Sequence, residues 1–127
     1  MNAGVRMGRM RLLLLAVAFA LSAGPLLSAD ELLIDPGDAS NHIKESVSVS
    51  GLVVTAFVSK HGNVFLDFGE KYPNQRFTGG IPAGTPLASD PSLELLQDKT
   101  VKITGVIEIY RGKPEIRIAS KDQIVSE

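Results

Sequence analysis

The stretch Val47–Ser59, VSVSGLVVTAFVS, limits the fold more than any other part of the chain. It has the β-branched richness and length of a strand. Val47, Val49, Gly51 and Val53 share one face, and Leu52, Val54, Ala56 and Val58 share the other. A strand lying on a single core would be apolar on one face only. Apolar character on both faces requires a strand that passes between packed partners or bends from one sheet into another. Gly51 is the expected bend, since glycine relaxes the backbone there.

The next stretch reads as a hairpin partner and a return. Lys60-His61-Gly62-Asn63 is a tight connection, and Val64–Phe68 follows with Val64, Leu66 and Phe68 on one face and Phe65 and Asp67 on the other. Gly69–Gln75, with Tyr72-Pro73-Asn74 at its centre, carries turn residues and is expected to be structural. Arg76–Ile81 resumes the period of two, with Phe77, Gly79 and Ile81 inward and Arg76, Thr78 and Gly80 outward.

Pro82, Gly84, Pro86 and Pro91 then stiffen the chain, and Ser92, with Asp90 just upstream, is positioned to cap a short helix over Leu93–Leu96 that plugs an apolar opening. Thr100–Tyr110 has the cleanest alternation, with Val101, Ile103, Gly105, Ile107 and Ile109 inward. Arg111-Gly112-Lys113-Pro114 turns the chain into Glu115–Ser120, with Ile116 and Ile118 inward and Arg117 outward. Lys121–Ile124 closes the domain. Before the first strand, Asp35–Asp38 is a turn or cap that leads into a helix of two turns at most, ending near His42.

The N-terminus reads as an address. Arg6, Arg9 and Arg11 precede the apolar block Leu12–Leu21, and small residues lead to a cleavage point after Ala29. That is the order of a secretory signal peptide, and ten apolar residues fall short of the ~20 that a span requires. The expected organisation is a signal peptide over residues 1–29 and one domain over residues 30–127, exported to the periplasm or beyond the cell, with no stable membrane anchor after cleavage. The chain has no cysteine, so the fold carries no disulfide. Residues 30–127 hold all 14 acids and ten of the 13 Lys and Arg, a net charge of −4. Polyanion binding by such a domain must come from a local patch.

Strand, strand, strand, short helix, strand, strand is the order of an all-β, five-stranded oligonucleotide/oligosaccharide-binding (OB-fold) barrel. The segments VFLDFGEKYPNQRFTGGI and VKITGVIEIYRGKPEIRI and the closing DQI also resemble exported bacterial OB-fold domains of a nucleic-acid-binding-like group. Phe65–Gly69, Tyr72-Pro73-Asn74 and Tyr110–Ile116 carry the likeness, with Asp67 where asparagine is more familiar and Lys44 where glycine is expected. The resemblance covers Ile43–Ile124 and implies a binding module.

OB barrels bind across the outer face of strands two and three, between two loops. Here that surface is expected to comprise Lys60, His61, Phe65, Asp67, Arg76, Thr78, Tyr110, Arg111, Lys113 and Arg117. An aromatic ring flanked by arginine and lysine suits base stacking with phosphate neutralisation. The expected partner is single-stranded nucleic acid or another extended oligomer such as a sugar chain, with an envelope protein as the alternative. On the bland reading, Phe65 is covered by a turn and Asp67 pairs with Arg76 at the surface. No catalytic residues, metal ligands or cofactor are expected: two histidines without cysteine lack metal partners, and Asp67, Glu70 and Arg76 have no spacing that demands a divalent ion.

Overall fold

A computed structural model describes residues 31–127, so the expected signal peptide lies outside the described residues. Seven strands are present: β1 (Leu32–Ile34), β2 (Ser46–Val58), β3 (Val64–Phe68), β4 (Phe77–Ile81), β5 (Thr100–Tyr110), β6 (Lys113–Arg117) and β7 (Ile124–Ser126). The long β2 serves two sheets, although of its second apolar face only Ala56 is buried and Leu52 and Val58 stay exposed. Its first half, Ser46–Leu52, pairs antiparallel with β5, and its second half, Val53–Val58, pairs with β3. β3 pairs with β4, β4 runs parallel to β6, and β6 returns to β5. The pairings close the ring β2–β3–β4–β6–β5, which is the OB-fold barrel.

The change of sheet does not occur at Gly51. The β2–β3 register shifts between Val53 and Thr55, so the buried series runs Val47, Val49, Val53 and then Ala56. One extra residue in a strand reverses which face its later side chains take. Gly51 has a different task, because a Cβ there would stand 2.5 Å from the Pro36 ring that covers it.

The interior is filled by Val47, Val49, Val53, Leu66, Phe68, Phe77, Ile81, Val101, Ile103, Ile107, Ile116 and Ile118, all at 1% exposure or less. Phe68 and Phe77 pack with ring centroids 5.3 Å apart. Both helical expectations resolve as 3-10 turns, Pro36–Asn41 and Pro91–Leu96. Asp90, not Ser92, caps the second, its carboxylate accepting from the Ser92 backbone N–H at 2.9 Å. Leu93 plugs the barrel while Leu95 points to solvent. His42 sits at the end of the first turn, its N–H donating to the Ala39 carbonyl and its ring 2.8 Å from Glu45.

Three further expectations are corrected. Strands β1 and β7 extend the half-sheet of β2 and β5 on either side, and sequence reading placed no strand there. Ile109 is 54% exposed instead of inward. β5 loses its β2 partner after Val106, so Ile109 belongs to a hairpin that β6 alone supports. The last barrel strand is Lys113–Arg117, although Ile118 still donates to the Gly80 carbonyl. Lys44, standing where glycine is expected, has φ 73°, a left-handed conformation that explains the preference for glycine.

Candidate nucleic-acid interface

The register of the strands fixes two rows across the outer face of the barrel. In the first, Phe57 lies opposite Phe65, Phe65 opposite Gly80, and Gly80 opposite Arg117. The Phe57 and Phe65 rings meet with centroids 5.4 Å apart and planes tilted by 34°. Both reach the surface: Phe57 is 37% exposed and Phe65 is half-buried. In the second row Thr55, Asp67, Thr78, Glu115 and Glu108 follow one another across five strands.

Two loops border these rows. The loop after β2 is held by the Ser59 N–H donating to the Asn63 carbonyl and by the Asn63 side chain accepting from the Ala83 N–H at 2.8 Å. The β5–β6 hairpin turns through Arg111 and Gly112, both at positive φ, the geometry of a two-residue hairpin loop. That turn lays the Arg111 guanidinium 5.3 Å from the centre of the Tyr110 ring. Lys113 reaches back to donate to the Gln75 carbonyl at 3.3 Å.

Between the loops runs a groove of about 390 Å³. Phe57, Phe65 and Tyr110 give it aromatic walls, His61, Arg111 and Lys113 stand at its rim, and Asp67, Gln75 and Thr78 lie along its base, with Tyr72 and Pro73 also in its lining. A second depression of about 290 Å³ adjoins it, sharing Phe65 and Tyr110 and adding Glu115 and Arg117. Gly80 lets the Glu115 carboxylate lie close over the strand there, and a Cβ would make the end of that side chain move aside.

The polar residues on the base are buried. Asp67 is 2% exposed, Thr78 5%, Glu115 6% and Gln75 7%. Gln75 Nε2 donates to Thr78 Oγ1 at 3.4 Å, and Thr78 Oγ1 donates to Asp67 Oδ1 at 3.1 Å. Burial pushes the Asp67 carboxyl above the ordinary range, and the Thr78 bond only partly offsets this. Burial likewise pushes Glu115 up, with the Arg117 charge pulling it back. Among the described residues, no carboxylate lies within ion-pair distance of Lys60, Arg111, Lys113 or Arg117.

The structure thus brings His61, Phe65, Asp67, Thr78, Tyr110, Arg111 and Lys113 into one groove and places Arg117 in its extension. Lys60 lies in the bordering loop but does not line the groove. Arg76 is elsewhere. The third strand starts at Phe77, so the cross-strand partner of Asp67 is Thr78, and the expected Asp67–Arg76 pair does not form. Arg76 instead folds over Gly69 and reaches Gly37 in a separate depression with Asp35 and Glu70. Sequence reading missed Phe57 and Gln75 and assigned Tyr72 and Pro73 to the turn alone. The shift at Val53–Thr55 is what turns Phe57 outward. Among the described residues, no three His, Cys, Asp or Glu side chains gather as metal ligands.

No family model matches the sequence, and no curated protein matches it. The fold is similar to part of the asparaginyl-tRNA synthetase of Entamoeba histolytica in complex with asparaginyl-adenylate, with a TM-score of 0.51 and 16% identity over 76% of this chain and 23% of that one. It is also similar to part of the aspartyl-tRNA synthetase of Entamoeba histolytica, with a TM-score of 0.51 and 13% identity over 93% of this chain and 28% of that one. The chain spans about a quarter of the length of these structures, and the likeness is one of fold.

Proposed function

We propose that residues 30–127 form an exported, non-catalytic module that binds single-stranded nucleic acid along the groove between the two loops. One observation carries this reading: the aromatic pair Phe57–Phe65 and the Tyr110 ring wall a channel whose rim bears basic side chains without acidic partners. Every base has a π-face, so such walls hold bases of any sequence, and the rim cations neutralise the phosphates between them. The similar solved structures are tRNA synthetases, which supports a nucleic-acid ligand for the barrel. The apolar block and small-residue exit before Asp30 support export.

The test is fluorescence anisotropy of a labelled single-stranded oligonucleotide at low salt, with the mixture checked for cleavage products in the presence of a divalent metal. Saturable binding without cleavage is expected. A flat titration overturns nucleic-acid binding, and cleavage overturns the non-catalytic reading. N-terminal sequencing of the protein recovered from cells is expected to begin at Asp30, and an unprocessed Met1 overturns export.

A further inference from the structure

The floor of the groove carries negative charge that no cation meets directly. Asp67 and Glu115 lie in one row across the barrel, on either side of Thr78, and both are more than nine-tenths buried. Neither forms an ion pair among the described residues. Asp67 Oδ1 accepts from Thr78, and Asp67 Oδ2 has no hydrogen-bond partner. Glu115 stands opposite Glu108, which itself pairs with Lys44 at 2.6 Å.

Around Asp67, β2 presents Thr55, β4 presents Thr78, and the β3–β4 turn presents Gln75 and the Tyr72 phenol. The other titratable or charged side chains in its groove are His61, Tyr110, Arg111 and Lys113. Around Glu115, β4 presents Thr78, β5 presents Glu108 and Tyr110, and its own strand presents Arg117, whose charge opposes the effect of burial.

A strand held on the aromatic walls passes over this floor. Phe65 and Asp67 are two positions apart on β3, about 7 Å, and neighbouring strands are about 4.8 Å apart. A phosphate next to a base stacked on Phe65 therefore lies about one screening length from the carboxylates, ~10 Å at 0.1 M salt, and buried charges are screened less than exposed ones. The floor repels the phosphates that the rim attracts. Burial also makes both carboxyls take up protons at higher pH than exposed ones do.

We propose that Asp67 and Glu115 make the groove a proton-dependent site, which holds a nucleic-acid strand loosely while both carboxyls are charged and firmly once they are protonated. The inference rests on the nucleic-acid reading above and adds control by pH to it. The sign follows from linkage. A polyanion that prefers the neutral floor takes protons up on binding, so affinity climbs as pH falls through the raised carboxyl range and is level above it.

The probe is a labelled oligothymidylate, because thymine takes up no proton between pH 8 and pH 5 and phosphodiesters stay charged throughout. Histidine titrates in that range. His42 lies outside the groove beside Glu45, and His61 is replaced by glutamine in every protein compared. In His61→Gln protein, affinity at constant ionic strength is expected to rise at least about tenfold from pH 8 to pH 5. Adding Asp67→Asn and Glu115→Gln is expected to give the tight affinity already at pH 8 and to cut the rise below about twofold. An uncharged methylphosphonate strand of the same length is expected to bind His61→Gln protein with no rise. That arm leaves the groove floor unaltered, so it holds whether or not the triple variant folds. A level profile for the phosphodiester strand, or an equal rise in the triple variant or with the methylphosphonate strand, overturns the switch and leaves the binding module standing. Failure of the phosphodiester strand to bind at any pH overturns both.

Discussion

Phe57 and Phe65 occupy opposed positions on neighbouring strands, and both line the groove. Stacking a base contributes about 1–3 kcal/mol per aromatic. Phe57→Ala and Phe65→Ala are each expected to weaken oligonucleotide binding by about 5- to 150-fold, read by anisotropy, whereas Arg76→Ala leaves it unchanged. A loss confined to Phe65 would remove Phe57 from the site. Asp67 gives a second expectation at this scale. Its folded pKa is raised by burial above 3.8, so the folded state holds the proton more tightly than the unfolded chain does. The cost of the buried charge is therefore felt in full above the raised pKa, and it fades as pH falls through that value toward 3.8. Glu115, two strands along the same row, contributes with the same sign. Asp67→Asn removes the charge and keeps an acceptor for Thr78. Its melting temperature is expected to exceed that of the parent at pH 7, with the difference shrinking toward pH 4. A constant difference across that range would show that the Asp67 charge bears no net cost.

At the scale of elements, the sequence was legible where each strand keeps one phase. The first half of Thr100–Tyr110 shows in its buried residues the alternation written in it, and Val64–Phe68 keeps its apolar face inward although Asp67 on the other face is buried as well. It was not legible where the phase changes. Both apolar faces of β2 were visible, but the extra residue lies at Val53–Thr55 and not at the glycine, because Gly51 is already committed to the Pro36 ring. That single displacement hid Phe57. Gln75 was hidden for another reason: a polar residue in a turn gives no sign that tertiary contacts will bury it. The short strands β1 and β7 lie outside the barrel ring, where three residues of any mixed sequence can pair with an available edge. Ile109 shows how alternation misleads once a strand outruns its partners. Ile107→Ala, in the barrel, is expected to lower stability by about 2–5 kcal/mol in urea denaturation, and Ile109→Ala, on the projecting hairpin, by less than about 0.5 kcal/mol. Equal losses would place Ile109 in the core after all.

For the whole domain, charge and site pull in opposite directions. Residues 30–127 carry ten Lys and Arg against 14 Asp and Glu, yet the rim of the groove is basic. The distinction matters because charges separated by more than about 10 Å are largely screened at 0.1 M salt, whereas direct phosphate contacts release counterions in proportion to their number. If the net charge governed the encounter, added salt would relieve repulsion and tighten binding. If the rim governs it, added salt weakens binding, with a slope set by the cations that touch phosphate. Arg111, Lys113 and Arg117 line the groove and its extension. Three contacts to a single strand correspond to a slope of about −2 in log K against log salt, at roughly 0.7 per phosphate. Arg111→Ala is expected to reduce that slope by about 0.7, while Lys71→Ala, on a residue outside the groove, leaves it alone. A slope near zero, or one that Arg111→Ala does not change, would move the phosphate contacts away from this rim and with them the path of the strand across the barrel.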